Sequence, residues 1–235
     1  MSADFAIPGA DWRPMPVADA RKELGVDTAE LESLDLAGGL AKDALVHRGD
    51  LTVDGALSLR GRSHRLHVIA GDLRVTGTLD LLNLDLYTCL HITGSVHAGN
   101  LVCTADAGLV VAGSLDAGEI LLTCLTDAAT LIVGGDLTAG TWIEAGWRGN
   151  ILTPVPPGAR LLTENGSVRG PCGDPHLFGP DSGVGSAVDA VLPEFTEPGN
   201  LLAVNAIRRA LLEGRPVLRA REEAASTPPA GPPEV

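Results

Sequence analysis

A short glycine phrase recurs along the middle of this chain, and its period constrains the fold more than any other feature. Aligned on the first glycine, the phrases are RGDLTVDG at Gly49, AGDLRVTG at Gly71, TGSVHAG at Gly94, AGSLDAG at Gly113 and GGDLTAG at Gly135, with a fainter NGSVRG at Gly166. The spacings are 22, 23, 19 and 22 residues, followed by a break of 31. A repeat of that length is the mark of a solenoid, in which each unit buries its apolar side only by stacking on its neighbours.

The residues between the glycines choose among solenoids. Leucine-rich repeats need an asparagine ladder that is missing here, and a hexapeptide helix needs a six-residue sub-period that these spacings do not keep. Within the units, apolar residues alternate: Leu51 and Val53, Leu73 and Val75, Leu79 and Leu81, then Ile120, Leu122 and Cys124. Such alternation predicts strands with one face buried. The expected fold is an all-β solenoid, a right-handed parallel β-helix of five to six coils. At ~4.8 Å per coil it forms a rod of roughly 25–30 Å. Aromatic residues are only 3% of the chain, so the interior is expected to be a narrow aliphatic one.

The residue after each repeat glycine is Asp or Ser: Asp50, Asp72, Ser95, Ser114 and Asp136, with Ser167 as a weaker sixth. Stacked at one corner, short polar side chains can hydrogen-bond the turn backbone, while glycine permits a close backbone approach. A calcium ladder is disfavoured, because serines interrupt it and Ca²⁺ needs six or more oxygens.

These glycine-punctuated Val/Leu coils resemble bacterial bactofilins and related polymer-forming β-helix proteins, over about residues 46–148. The resemblance implies a β-helix that polymerises end to end without nucleotide, and it brings no catalytic residues with it.

The flanks read differently. Residues 1–46 form an N-terminal segment, helical from residue 16, with a stop at Gly25 and a capping box of Asp27 and Glu30 before Leu31 and Leu34. The coils occupy 47–150. A Pro/Gly-rich connection spans 151–199, with a last coil near 163–170 and with Leu177 and Phe178 packing back on the rod. Residues 200–220 read as a helix, with Asn200 at its N-cap, Leu201, Val204, Ile207 and Leu211 on one face, and Gly214 at its end. Both helices are expected to cap the solenoid, whose open ends are otherwise edge strands. Residues 221–235 read as a disordered tail.

Charge narrows the partners. The formal net charge is −13, which repels nucleic acid and favours a basic protein. Between Arg74 and Arg148 there is no Lys or Arg, yet the interval holds Asp80, Asp85, Asp106, Asp116, Glu119, Asp127, Asp136 and Glu144. On a solenoid these acids are expected outside, stacked into a docking face. Trp142, Trp147 and Arg148 follow as interface hot-spot candidates.

Chemistry finds less support. His67 and His91 lie about one coil apart with His97 nearby, the sort of placement that some β-helix enzymes use for zinc. The four cysteines, Cys89, Cys103, Cys124 and Cys172, show no CxxC spacing, and alternation places Cys103 and Cys124 with the inward residues. No metal or cofactor is expected. No secretory leader and no 18-residue apolar run is present, so the expected setting is cytoplasmic, with no membrane contact. The favoured reading is a non-enzymatic protein-binding β-helix, an immunity protein or inhibitor that neutralises a basic partner such as a bacterial toxin. The alternatives are a self-associating bactofilin-like scaffold and a metal- or glycan-active β-helix enzyme.

Overall fold

The computed structural model describes residues 5–25, 43–61, 65–83, 88–126, 129–145, 150–153, 160–164, 185–199 and 201–220. They form a parallel β-solenoid of about five turns. An antiparallel strand β1 (Arg13–Pro16) and a helix α1 (Val17–Leu24) come first. The first coil is β2 (Asp43–Arg48), β3 (Leu51–Val53) and β4 (Leu57–Gly61). In the second coil β5 (Arg65–Ala70) is followed by one long strand, β6 (Leu73–Asn83), which pairs with both β3 and β4. The next coils repeat this short–long pattern: β7 (Thr88–Ile92) and β8 (Val96–Ala105), β9 (Gly108–Val111) and β10 (Leu115–Leu125), β11 (Thr130–Val133) and β12 (Leu137–Glu144). β13 (Asn150–Leu152) and β14 (Arg160–Thr163) begin a further coil.

Two sheets result. The short strands stack as β1-β2-β5-β7-β9-β11-β13, and the long ones as β3-β6-β8-β10-β12-β14, ending on β15 (Gly185–Ser186). Each long strand has two limbs, because pairing breaks between Val75 and Thr78 in β6 and between Ala117 and Ile120 in β10. The facing strand β8 passes from Ala98 to Asn100 over the single residue Gly99. Corners of one or two residues are thus one source of the uneven spacing of the repeat. Every coil presents three outer faces: the short-strand sheet, the leading limb and the trailing limb.

Cross-strand register stacks like on like in the interior. One inward row on the trailing limb runs Leu57, Leu79, Leu101, Leu121, Trp142, Leu161, and the other runs Leu59, Leu81, Cys103, Thr123, Glu144, Thr163. Across the lumen, the short strands stack Leu90, Leu109, Leu131 and Ile151. These short strands give closely spaced backbones little room for bulk, so aliphatic side chains fill the slots at high packing density.

The inward assignment of Ile120, Leu122 and Cys124 is corrected by this register. Leu121 pairs with Leu101 and Trp142, both in the main core, so its neighbours Ile120 and Leu122 point outward. They are buried nonetheless, because a C-terminal arm covers them. The arm comprises α2 (Ala187–Ala190), a 3-10 turn at Pro193–Phe195, the hairpin β16 (Thr196–Glu197) and β17 (Leu201–Leu202), and α3 (Val204–Leu212). Its Ala187, Val191, Phe195, Ile207, Ala210 and Leu211 pack on the outward Val102, Ile120, Leu122, Ile143 and Leu162. A strand that is apolar on both faces needs such a cover, and the sequence signals it as ILLTCL, where alternation fails.

Helices flank the solenoid as expected, but each lies against a side. On the short-strand sheet, Ala20 of α1 and the outward Ala44, Val46, Leu66 and Val68 form one cluster. Gly25 ends α1 in the left-handed region, at φ 64°, and Gly214 follows α3 at φ 66°. Helical structure was expected to run through residue 46, whereas Asp43–Arg48 is the strand β2. Leu201, assigned to the buried helix face, is 47% exposed. Residues 26–42, with the capping box, as well as Asn200, the 165–170 part of the last coil, Leu177, Phe178 and the 221–235 tail, lie outside the described residues.

Closure of the N-terminal end falls to residues 5–16. Ile7 is buried in the core, and Phe5 stacks on the inward His67 at 4.3 Å between ring centroids. Trp12 meets His67 edge-on at 5.2 Å, and the Asp11 N–H donates to His47 Nδ1 at 3.1 Å. β1 then runs antiparallel to β2 and carries Pro14 and Pro16. A proline has no N–H to offer a further strand, so this sheet edge is blunted.

Candidate functional site

The corner ladder is present and its bonding is specific. Asp50 Oδ1 accepts from the Asp72 N–H at 2.8 Å, and Asp72 Oδ1 from the Ser95 N–H at 2.7 Å. Ser95 Oγ accepts from the Ser114 N–H at 3.1 Å, and Ser114 Oγ from the Asp136 N–H at 3.2 Å. Each side chain thus satisfies the backbone donor one coil onward. The glycines form a parallel backbone file: Gly94 donates to Gly71, Gly113 to Gly94 and Gly135 to Gly113. A Cβ on Gly71 would lie 2.6 Å from the Gly49 carbonyl, so the file admits only glycine there. Asp50 and Asp72 are therefore structural acids.

The acidic run separates into three environments. Asp80 is fully buried. It points outward from the trailing limb and is covered by α3, whose Arg208 donates to both of its oxygens at 2.6 Å, while Ser58 Oγ donates at 2.6 Å. Glu144 points inward, between Thr123 and Thr163, and is 6% exposed. Burial pushes its carboxyl up to about 7. Neither residue belongs to a docking face, which corrects the expectation for both. Asp106 sits at the corner between the trailing limb and the next short strand, where it accepts from Thr126 Oγ1. Asp85 and Asp127 lie outside the described residues.

Asp116, Glu119 and Asp136 remain together on or beside the leading limb. This limb is three residues wide in each coil, with its first and third residues inward. Its middle residues stack as Thr52, Arg74, His97, Asp116 and Thr138. All are exposed except Asp116, which is half-exposed. Thr138 Oγ1 donates to Asp116 Oδ1 at 2.8 Å, and His97 Nδ1 lies 3.7 Å from the other Asp116 oxygen. Glu119 is exposed at the corner beyond, and Asp136 at the corner before. Among the described residues this is the most open of the three faces: outward apolar residues of the short-strand sheet cluster with Ala20 of α1, and those of the trailing limb pack on the arm.

Trp142 is not an exposed hot spot. It fills the interior at 2% exposure and donates from Nε1 to Thr123 Oγ1 at 2.9 Å. The ring stands in the inward row between Leu121 and Leu161. Trp147 and Arg148 lie outside the described residues.

The histidines do not converge. His67 is in register with Leu90 and faces inward, whereas His91 is in register with Val68 and faces outward. Among the described residues, no group of three or more His, Cys, Asp or Glu is placed to hold a metal ion. Cys103 is inward as expected, but Cys124 pairs with Thr104 on the outward side. Burial pushes the Cys89 thiol up to about 12 and the Cys103 thiol higher still, with the nearby Asp80 charge adding to the latter. Among the described residues, no helix is long and apolar enough to cross a membrane. No protein-family model, curated protein or solved structure matches the chain.

Proposed function

We propose that this chain is a non-enzymatic protein-binding β-solenoid that uses the open leading-limb face to dock a basic protein, as an immunity protein or inhibitor would dock a toxin. One observation carries the reading. Two of the three outer faces pack apolar residues against the chain's own segments, while the third is polar, regular and the most open. Its acidic end, formed by Asp116, Glu119 and Asp136, lies within the stretch between Arg74 and Arg148 that has no Lys or Arg. Clustered like charge of this kind destabilises a compact protein unless a partner compensates it, and it accelerates encounter with a basic surface. The blunted N-terminal edge argues against end-to-end assembly, since Pro14 and Pro16 offer no donors to a second copy.

The test is affinity capture from the native host with the full chain as bait. The parent chain is expected to recover one dominant basic protein, and the variant Asp116→Asn/Glu119→Gln/Asp136→Asn to recover at least tenfold less. Equal recovery by both baits, or recovery of no basic protein by either, overturns the reading.

A further inference from the structure

Among the described residues, Glu144 is the one acid of the run that faces the lumen. Its register partners in the inward row are Thr123 on β10 and Thr163 on β14, and the facing short strands present Leu131, Val133 and Ile151 to the core. The nearest charged groups on adjoining elements face away from it. Arg160 pairs with Thr141 on the outward phase of the strand. The Glu164 carboxylate accepts from the Leu202 N–H of the arm, and Arg208 is held by Asp80. Among the described residues none forms an ion pair or hydrogen bond with Glu144. A carboxylate so placed has lost most of its water without gaining a counter-charge, so its neutral form is the one that packs.

The same strand fastens the arm. Ile143 and Ala145, on either side of Glu144, point outward into the apolar cluster with Phe195, Ile207 and Leu211. Any movement that hydrates the Glu144 carboxylate therefore disturbs the seat of the arm as well.

We propose that Glu144 is a proton-linked latch at the C-terminal end of the solenoid: protonated, it lets the β12–β14 coil close under the arm, and ionised, it loosens that coil and the arm with it. The sign follows from linkage. The folded chain holds this proton to about pH 7, whereas an exposed carboxyl releases it near 4.5. Stability from this group is thus fully present below that lower value and is lost as pH rises through the higher one. Between pH 5.5 and 7.5 the opening constant of the coil rises by roughly twentyfold when opening fully hydrates the carboxyl.

Amide hydrogen exchange on the full chain tests this, with rates corrected for intrinsic exchange. Amides of β12, β14 and α3 are expected to open roughly twentyfold more at pH 7.5 than at pH 5.5 in the parent, and equally at both in Glu144→Gln. A flat parent profile, or the same rise in the variant, overturns the proposal. Should Glu144→Gln not fold, carbon NMR of the Glu144 carboxyl in the parent decides the matter. A midpoint near 7 supports the latch, and one in the ordinary glutamate range removes it.

Discussion

Asp80 and Arg208 meet in a two-pronged ion pair, with both contacts at 2.6 Å across a separation of 128 residues. The pair ties the helix of the C-terminal arm to the second coil. With Ser58 also donating to it, the carboxylate is satisfied in a place where water does not reach. Thr78 Oγ1 adds a bond to the Leu211 carbonyl at 2.7 Å, so the polar contacts fix where on an apolar flank the helix sits.

Breaking this pair from one side is expected to be costly. Arg208→Met leaves Asp80 buried and uncompensated, and is expected to lower stability by about 3–5 kcal/mol. Replacing both partners, Asp80→Leu with Arg208→Met, is expected to recover most of that loss, because a packed apolar pair avoids desolvating two charges. Urea denaturation of the parent and the two variants checks this; a double variant as unstable as the single one contradicts it.

The glycine file predicts a sharp contrast between two alanine substitutions. Gly71→Ala puts a methyl 2.6 Å from the Gly49 backbone, whereas at Gly118 the nearest atom is the Gly99 oxygen at 3.6 Å. The first is expected to cost about 1–3 kcal/mol or more through overpacking, and the second to stay within about 1 kcal/mol. Thermal or urea melts distinguish them.

Within the polar ladder, Ser95→Ala removes the acceptor for the Ser114 N–H and is expected to cost about 1 kcal/mol. Asp72→Asn keeps an acceptor for the Ser95 N–H and is expected to cost less than Asp72→Ala. Paired denaturation curves of the two Asp72 variants measure the difference.

Pro14 and Pro16 are expected to suppress edge pairing. Pro14→Val with Pro16→Thr restores two N–H groups and strand-forming side chains to β1, and is expected to increase self-association over the parent. Sedimentation velocity over a concentration series reads the change; identical profiles for both chains argue that the edge is covered by other means.

Thiol labelling should follow burial. Cys124 is half-buried, while Cys89 and Cys103 are enclosed and poorly ionised. In native protein at pH 8, Cys124 is expected to react with an alkylating reagent well before these two, which become comparable to it only in denaturant. Peptide mass spectrometry after timed quenching identifies the sites.

Much of the coil region was legible because its rules are local. A glycine at the close backbone approach, an Asp or Ser bonding one coil ahead, and Leu or Val at alternate inward positions each leave a mark at fixed spacing. The two long-range facts left almost none. Asp80 reads as one more surface acid until Arg208 arrives from the far end of the chain. Leu122 reads as inward by alternation alone, because the arm that buries its outward face is distant in sequence. Glu144 follows the inward phase of Trp142, but a carboxylate is the residue least expected there. The open face was visible only in part: its acids stood out, while its width and limits depend on which other faces are covered.

The exposed row on the leading limb has a direction. Read along the axis it runs Thr52, Arg74, His97, Asp116, Thr138, from basic to acidic. At ~4.8 Å per coil, Arg74 and Asp116 stand about 10 Å apart, near the distance at which salt screens one charge from another. On the proposed docking reading, the row would present separate positions, and a rigid ligand laid along it the wrong way round would set like charges against Arg74 and Asp116. A partner docked there as proposed would be held in one polarity only.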